Sequence, residues 1–360
     1  MSAIHPKIRK FSIYLWTTIG RIIGLIFVTT NGSEFNTVKF YRLYNRAIQI
    51  VLIFLFPFAY WKQLENIEVA ENFDSPFIKL VSTLSDSVNF FFMIFAYSAA
   101  NFNRFNLRNS INNILQFNKY CFENFKISIS KKHYCWENCV TVSIITKFTV
   151  FLTHAMLYLF PLKSITIKSC FFLAVILLPE LCYFVISIQY FFGIMIVKFH
   201  IKNIFLILKR IKREIKFDVQ PKMKLRILER ELSASEKIDK ISEMHTKLFW
   251  IYRNFTGMYQ FQMLFSVTSN FSSMMINTLY IYGIYLLKSL DIPVDRGNWL
   301  QISSAICIAV RILDAHFQFE NTSMVNYMEE KVQRFTSELY LFGRDKRLKE
   351  SVSKTNKVKD

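Results

Sequence analysis

Apolar positions along this chain gather into runs of membrane length, separated by polar and charged segments. The runs lie at about 47–61, 77–102, 140–162, 167–197, 255–287 and 299–319. A helix crosses the hydrocarbon of a bilayer with about 20 apolar residues, so the pattern predicts an all-α bundle of about six transmembrane spans. The first span is short and carries Pro57 near one end, and residues 41–46 extend it backward. The fourth is longer than a bilayer requires, so it tilts or continues into water. Residues 1–40 form a basic arm in which FSIYLWTTIGRIIGLIFVTT, interrupted by Arg21, reads as an interfacial or partly embedded helix rather than a cleaved leader. Residues 321–360 form a charged tail.

The fifth run has its own inner pattern. Gln262, Ser266, Ser269, Ser273, Asn277 and Tyr280 follow at spacings of three and four, so they share one helix face. Phe265, Val267, Phe271, Met274, Ile276 and Leu279 occupy the others. Lipid cannot satisfy a hydrogen-bonding stripe, so the stripe turns toward other helices or a water-filled cavity. Either it lets helices pack closely or it lines a ligand pocket or gate. The sixth run carries a second stripe, Ser304, Cys307, Arg311, Asp314 and Gln318, placed to face the first.

Between the fourth and fifth runs lies a helical segment, residues 198–250, of which 198–240 are strongly basic, yet Ile204, Ile207, Leu208, Ile211 and Ile215 recur at helical spacing. The fourth helix is therefore expected to continue beyond the membrane, turn near Pro221 and return through 225–248 into the fifth. Either its apolar face forms a packed helical platform or its charge run binds anionic headgroups. The loop after the second run, with some helical periodicity, is basic too. Basic segments thus alternate with shorter loops, the first of them acidic, and this places the N-terminus, the 198–250 segment and the tail in the cytoplasm.

Composition agrees with a polytopic membrane protein. Hydrophobic residues make up 52 % of the 360 and aromatic residues 17 %, with 38 Phe against 8 Gly. The net charge of +19 is accounted for by membrane orientation, and nucleic acid is not expected as a partner. None of the six cysteines lies inside the longer loops placed outside the cell, so no disulfide framework is expected. Cys135 and Cys139 lack a second pair of ligands, so neither a metal nor another cofactor is expected. The six histidines are scattered without an HExxH pattern, and neither GxSxG nor a phosphate-binding glycine loop occurs. Enzyme chemistry is not expected. The sequons at Asn31, Asn254, Asn270 and Asn321 fall in cytoplasmic or membrane positions, so no glycan is expected.

Ionisable residues inside the spans mark candidate sites. Asp86 lies in the outer part of span two, and His154 and Tyr158 in that of span three; Asp86 and His154 serve either ligand contact or hydrogen bonds between helices. Glu180 lies near the middle of span four. Arg311 and Asp314, one turn apart in span six, are expected to pair within their helix. Lys147, near the inner end of span three, is expected to snorkel to the headgroups. A pocket between spans five and six, topped by Asn277, Tyr280, Trp299 and Gln301, combines aromatic surface with hydrogen-bonding groups.

In the approach to span five, Ile241, His245, Leu248, Asn254, Tyr259 and Gln262 recur at a spacing similar to that of insect gustatory receptors. With the inverted orientation and the long extensions of spans four and five, the chain resembles that family over about residues 23–348. The resemblance implies a plasma-membrane, ligand-gated cation channel. It further implies a tetramer of like or different subunits, with a small-molecule tastant bound in the outer halves of spans two to six. Sugars and bitter compounds both suit the residues above. In the family a seventh helix lines the pore and ends in a Thr-Tyr and Gln-Phe signature. Here RFTSELYL leads into GRDKRLKESVSKTNKVKD, too charged to span. The expectation is a cytosolic tail and no conduction by this chain alone, which leaves open a carrier, a non-conducting partner subunit or a truncated receptor form.

Overall fold

A computed structural model gives the fold and describes residues 6–26, 28–31, 34–37, 39–64, 76–125, 134–159, 166–216, 224–289 and 297–342. The turn expected near Pro221 and the tail beyond Phe342 lie outside the described residues. Among the described residues the chain is helical, with one short hairpin. Its elements are α1 (Pro6–Ile22), β1 (Val28–Asn31), β2 (Glu34–Thr37), α2 (Lys39–Leu64), α3 (Pro76–Phe125), α4 (Tyr134–Leu159), α5 (Ile167–Ile176), α6 (Leu178–Lys216), α7 (Lys224–Ser289) and α8 (Gly297–Phe342). The antiparallel β1–β2 pair sits between α1 and α2. No period-two apolar pattern announced it in the sequence.

Two compact units emerge. The first comprises Met1–Arg108, Glu137–Phe191 and Met258–Gln318, and the second Asn109–Trp136, Phe192–Gly257 and Phe319–Asp360. Helices α3, α6, α7 and α8 each give one part to either unit.

In the first unit α1 ends in a left-handed cap: Gly24 has φ 75°, and the amides of Leu25 and Ile26 both bond the Gly20 carbonyl. Gln49 of α2 fastens this turn. Its amide donates to the Gly24 carbonyl at 2.7 Å, and its side-chain oxygen accepts from Asn101 of α3 at 2.6 Å. Phe56 stacks on Phe90 with ring centroids 5.1 Å apart, and Phe58 meets Phe172 of α5 edge-on. The fourth predicted run is two helices rather than one. Thr166 and Ser169 form a capping box that starts α5. The break at Leu177 precedes Pro179, which lacks an amide hydrogen and is accommodated in the first turn of the next helix.

By length and apolarity alone, two stretches among the described residues suffice to cross a membrane, Arg42–Lys62 and Leu178–Arg213. The other predicted spans fall on α3, α4, α7 and α8. On α7 and α8, polar stripes dilute the average.

Where those stripes point is the telling feature. On α7, Gln262, Ser266, Ser269, Ser273 and Asn277 are buried, while Phe261, Leu264, Val267 and Phe271 are exposed. The polarity is inside out, which water would not tolerate and lipid demands. Phe54, Phe58 and Trp61 of α2, Phe91 of α3 and Ile312 and Leu313 of α8 extend the exposed apolar surface.

The second unit has ordinary polarity. Ile201, Ile204, Leu208 and Ile211 of α6 are buried with Ile238, Ile241, Met244 and Leu248 of α7 and Val325 and Val332 of α8. Charged Lys202, Lys209, Glu236, Lys237 and Lys240 stay exposed. The described parts of the basic segment, to Lys216 and from Lys224, are therefore packed helix. The stretch after span two is likewise helix as far as Phe125, where α3 ends. On this surface Lys247, and after it the Tyr120 hydroxyl, hold the Glu243 carboxyl below its usual range.

Candidate functional site

The centre of the first unit is a chain of buried polar groups drawn from four helices. Arg311 of α8 reaches Glu180 of α6 through Nη2 at 2.8 Å and donates through Nη1 to the Asn270 side-chain oxygen of α7 at 2.6 Å. Asn270 donates in turn to the Tyr183 hydroxyl of α6 at 2.7 Å, and that hydroxyl donates to Asp314 Oδ2 at 3.0 Å. Lys147 of α4 closes the chain on the same Asp314 oxygen at 2.7 Å, its ammonium 4.9 Å from the Tyr183 ring centroid. Arg311 is 1 % exposed and Lys147 2 %. The sequence places these groups by helical spacing: Glu180 and Tyr183 lie one turn apart on α6, Arg311 and Asp314 one turn apart on α8.

Two expectations are corrected here. Arg311 and Asp314 were expected to pair with each other. Instead each pairs across to another helix, because both are buried and each meets an oppositely charged group there, Glu180 on α6 for Arg311 and Lys147 on α4 for Asp314. Lys147 does not reach toward headgroups: its ammonium finds a carboxylate within the bundle, and a charge so paired is held inside rather than at the boundary. The cluster carries two cationic and two anionic side chains and is neutral as a whole.

Along the same interface Asn277 donates to the Ser273 carbonyl at 2.7 Å and approaches the Cys307 thiol at 3.8 Å. The stripes of α7 and α8 thus face one another. Ser269 ties α7 to α3 by donating to Asn89 at 2.6 Å. The hydroxyls of Ser266 and Ser304 are buried without a hydrogen-bond partner among the described residues.

The seven predicted ligand residues separate into groups. Asp86 is buried on α3 within hydrogen-bonding reach of the Tyr60 hydroxyl of α2, and Tyr280 of α7 lies in the electrostatic field of the same hydroxyl. Gln301 of α8 donates to the Ile281 carbonyl at 3.5 Å and accepts from Lys288 at 3.1 Å, linking the end of α7 to the start of α8. Asn277 lies deeper, on the Cys307 side. The backbones of His154, Tyr158 and Trp299 are helical, and their side chains lie outside the described residues.

Sequence reasoning missed Asn270, Tyr183 and Tyr60. Asn270 was seen as a sequon, and it sits one position off the stripe it joins; only the helix rotation that puts Ser269 and Asn270 both inside reveals it. Tyr183, one turn after Glu180, carried a usable signal.

A groove of about 430 Å³, lined by Val88, Phe91, Ile94, Phe95, Ser98 and Phe265, opens between α3 and α7. Almost wholly apolar, it suits hydrocarbon rather than a polyol. Among the described residues no cluster of His, Cys, Asp and Glu has the arrangement of a metal site.

The arrangement offers hydrogen bonds and paired charges contributed by four helices. The sequence pattern of a family described as 7tm chemosensory receptors matches residues 13–354. No curated protein matches the chain.

Proposed function

The chain belongs to the 7tm chemosensory receptor family, and on that premise we propose that it is a subunit of a ligand-gated cation channel. In this proposal it stands in the plasma membrane with its N-terminus in the cytoplasm, as a homo- or hetero-oligomer, and detects a small-molecule tastant, a sugar or a bitter compound, from outside. The family is one of receptors rather than enzymes, and its members are membrane proteins.

One observation carries the proposal: the polar stripe of α7 runs buried along the bundle from Gln262 to Asn277 and meets the stripe of α8. Its far end approaches Tyr60, Asp86 and Tyr280. A ligand with hydroxyl or amine groups, seated among Asp86, Tyr280 and Gln301, competes for hydrogen bonds that hold α7 to its neighbours. Rearrangement then passes along the stripe to the Asn270–Arg311 contact. Differential binding to two arrangements of these bonds is all that a ligand needs to shift a gate.

The test is expression in a cell of low background under voltage clamp, alone and with other family subunits, against a panel of sugars and bitter compounds. The proposal expects an evoked cation current that weakens in Asp86→Asn and Tyr280→Ala at unchanged surface expression. Ligand binding without current in any subunit combination would instead make the chain a carrier or a non-conducting partner.

A further inference from the structure

Helices α2 and α3 run antiparallel, and three contacts fix their register: Gln49 with Asn101, Phe56 with Phe90, and Tyr60 with Asp86. One turn beyond Gln49 and Asn101 the same faces carry Arg46 and Arg104. A further turn brings Arg42 and Arg108. Arginines therefore meet arginines where two helices pack, which like charges would avoid unless an anion lay between them. Arg42, Arg46 and Arg104 have no ion-pair partner among the described residues. Nε and Nη1 of Arg104 are buried and without a hydrogen-bond partner among those residues. Arg42 and Arg46 lie close enough to depress the guanidinium pKa of Arg104, after the effect of its own desolvation. On the same face of α2, the Asn45 amide is 2 % exposed, and neither of its polar atoms has a partner there. Two donors on Arg104 and an amide on Asn45 are thus withdrawn from water beside two exposed guanidinium groups.

We propose that Arg42, Arg46 and Arg104, with Asn45, bind the phosphate headgroup of an anionic membrane lipid. Planar guanidinium groups match phosphate oxygens in pairs and neutralise them. The surroundings select a lipid over a dissolved phosphate. Arg42 opens the apolar stretch that runs to Lys62, and Phe40, Leu43, Phe102 and Phe105 beside the arginines are exposed. Such a mixture of aromatic, aliphatic and basic side chains belongs at the headgroup boundary. The headgroup bridges α2 and α3 at the end where Gln49 also holds the cap of α1, so the lipid braces three helices. The inference needs only that the chain be in a membrane and does not depend on channel activity.

The purified full chain is titrated with short-chain phosphatidylinositol bisphosphate in detergent, and bound adducts are resolved by native mass spectrometry. Phosphatidylcholine of the same chain length and free inositol trisphosphate serve as the other arms. Tight binding is expected for the bisphosphate lipid and not for phosphatidylcholine. Arg42→Gln with Arg46→Gln, both exposed and so harmless to folding, is expected to weaken it about thirtyfold. Arg104→Lys, which keeps the charge and loses the fork, is expected to weaken it less. Lys247→Gln, an exposed lysine paired within its own helix, should change nothing. Equal affinity in the wild type and the Arg42/Arg46 double variant overturns the site. Inositol trisphosphate bound as tightly as the lipid overturns the lipid as occupant in favour of a soluble phosphate.

Discussion

Arg311 and Asp314 sit one turn apart on α8, yet the guanidinium goes to Glu180 on α6 and the carboxylate to Lys147 on α4. Two residues on one helix thereby hold two different neighbours, and Tyr183 and Asn270 connect the two pairs. The helices cannot separate or rotate freely without exposing a charge to an environment that cannot solvate it.

Removing one member of such a pair leaves the other unpaired and buried, at a cost of about 3–5 kcal/mol. Lys147→Met and Asp314→Leu are each expected to lower the midpoint of thermal unfolding, followed by fluorescence-detected gel filtration in detergent. The double variant should be more stable than either single. If its loss equals the sum of the two, Lys147 and Asp314 act independently and the pair has no energetic meaning.

Ser269 and Asn89 offer a second cycle. Ser269→Ala leaves the Asn89 oxygen buried without its donor, a loss of about 1–3 kcal/mol. Adding Asn89→Leu removes the orphaned group and should restore part of that loss. Detergent melts of the four proteins measure the coupling directly.

Two glycines make opposite predictions. A Cβ on Gly193 would overlap the Phe255 ring, whereas one on Gly257 meets nothing within 4 Å. Gly193→Ala is expected to destabilise by about 1–3 kcal/mol through overpacking, and Phe255→Leu in the same chain should relieve it. Gly257→Ala, in a helix interior, should stabilise by about 1 kcal/mol. Identical shifts from both substitutions would contradict the packing of α6 against α7 around Gly193.

The packed face of the basic segment can be broken at one place. Ile204 and Ile211 are fully buried on α6. Changing both to Ser is expected to abolish the monodisperse gel-filtration peak or surface delivery, while Lys209→Ser on the solvent face should leave both intact. Normal assembly of the isoleucine variant would return this segment to the role of a charged loop.

Orientation rests on the distribution of basic residues alone. A tag placed before Met1 should be labelled by antibody only after permeabilisation; labelling of intact cells would invert every inner and outer assignment.

Much of this was legible beforehand because a membrane helix writes its polarity into its period. The stripe on α7 was read at the right positions since spacings of three and four survive any tertiary context. The continuation of α6 as one helix to Lys216 was visible in Ile204, Leu208 and Ile211. The partners of the charges were not visible: Arg311 and Asp314 look like an intrahelical pair in one dimension, and only the carboxylate of Glu180 on α6 and the ammonium of Lys147 on α4, brought close by the fold, separate them. Lys147 looked like a boundary residue because its place in the chain, near one end of a run, says nothing of what lies across the bundle. The α3 extension to Phe125 was obscured by its asparagines, weak helix formers that packing overrides.

The change of polarity along α7 has a mechanical consequence. Up to Leu248 the helix hides apolar side chains and shows charged ones; from Phe261 onward it does the reverse, and Trp250 with Arg253 stacked near its ring marks the changeover. A shift along its axis by one turn, about 5.4 Å, would carry Arg253 toward hydrocarbon at one end of the crossing or draw phenylalanines into water. A charge at the centre of a bilayer costs roughly 2.5–3.5 kcal/mol on insertion scales, and the helix carries further lysines behind it. Sliding along its own axis therefore carries an energetic cost for α7 that is written into its sequence, whichever the direction of the shift.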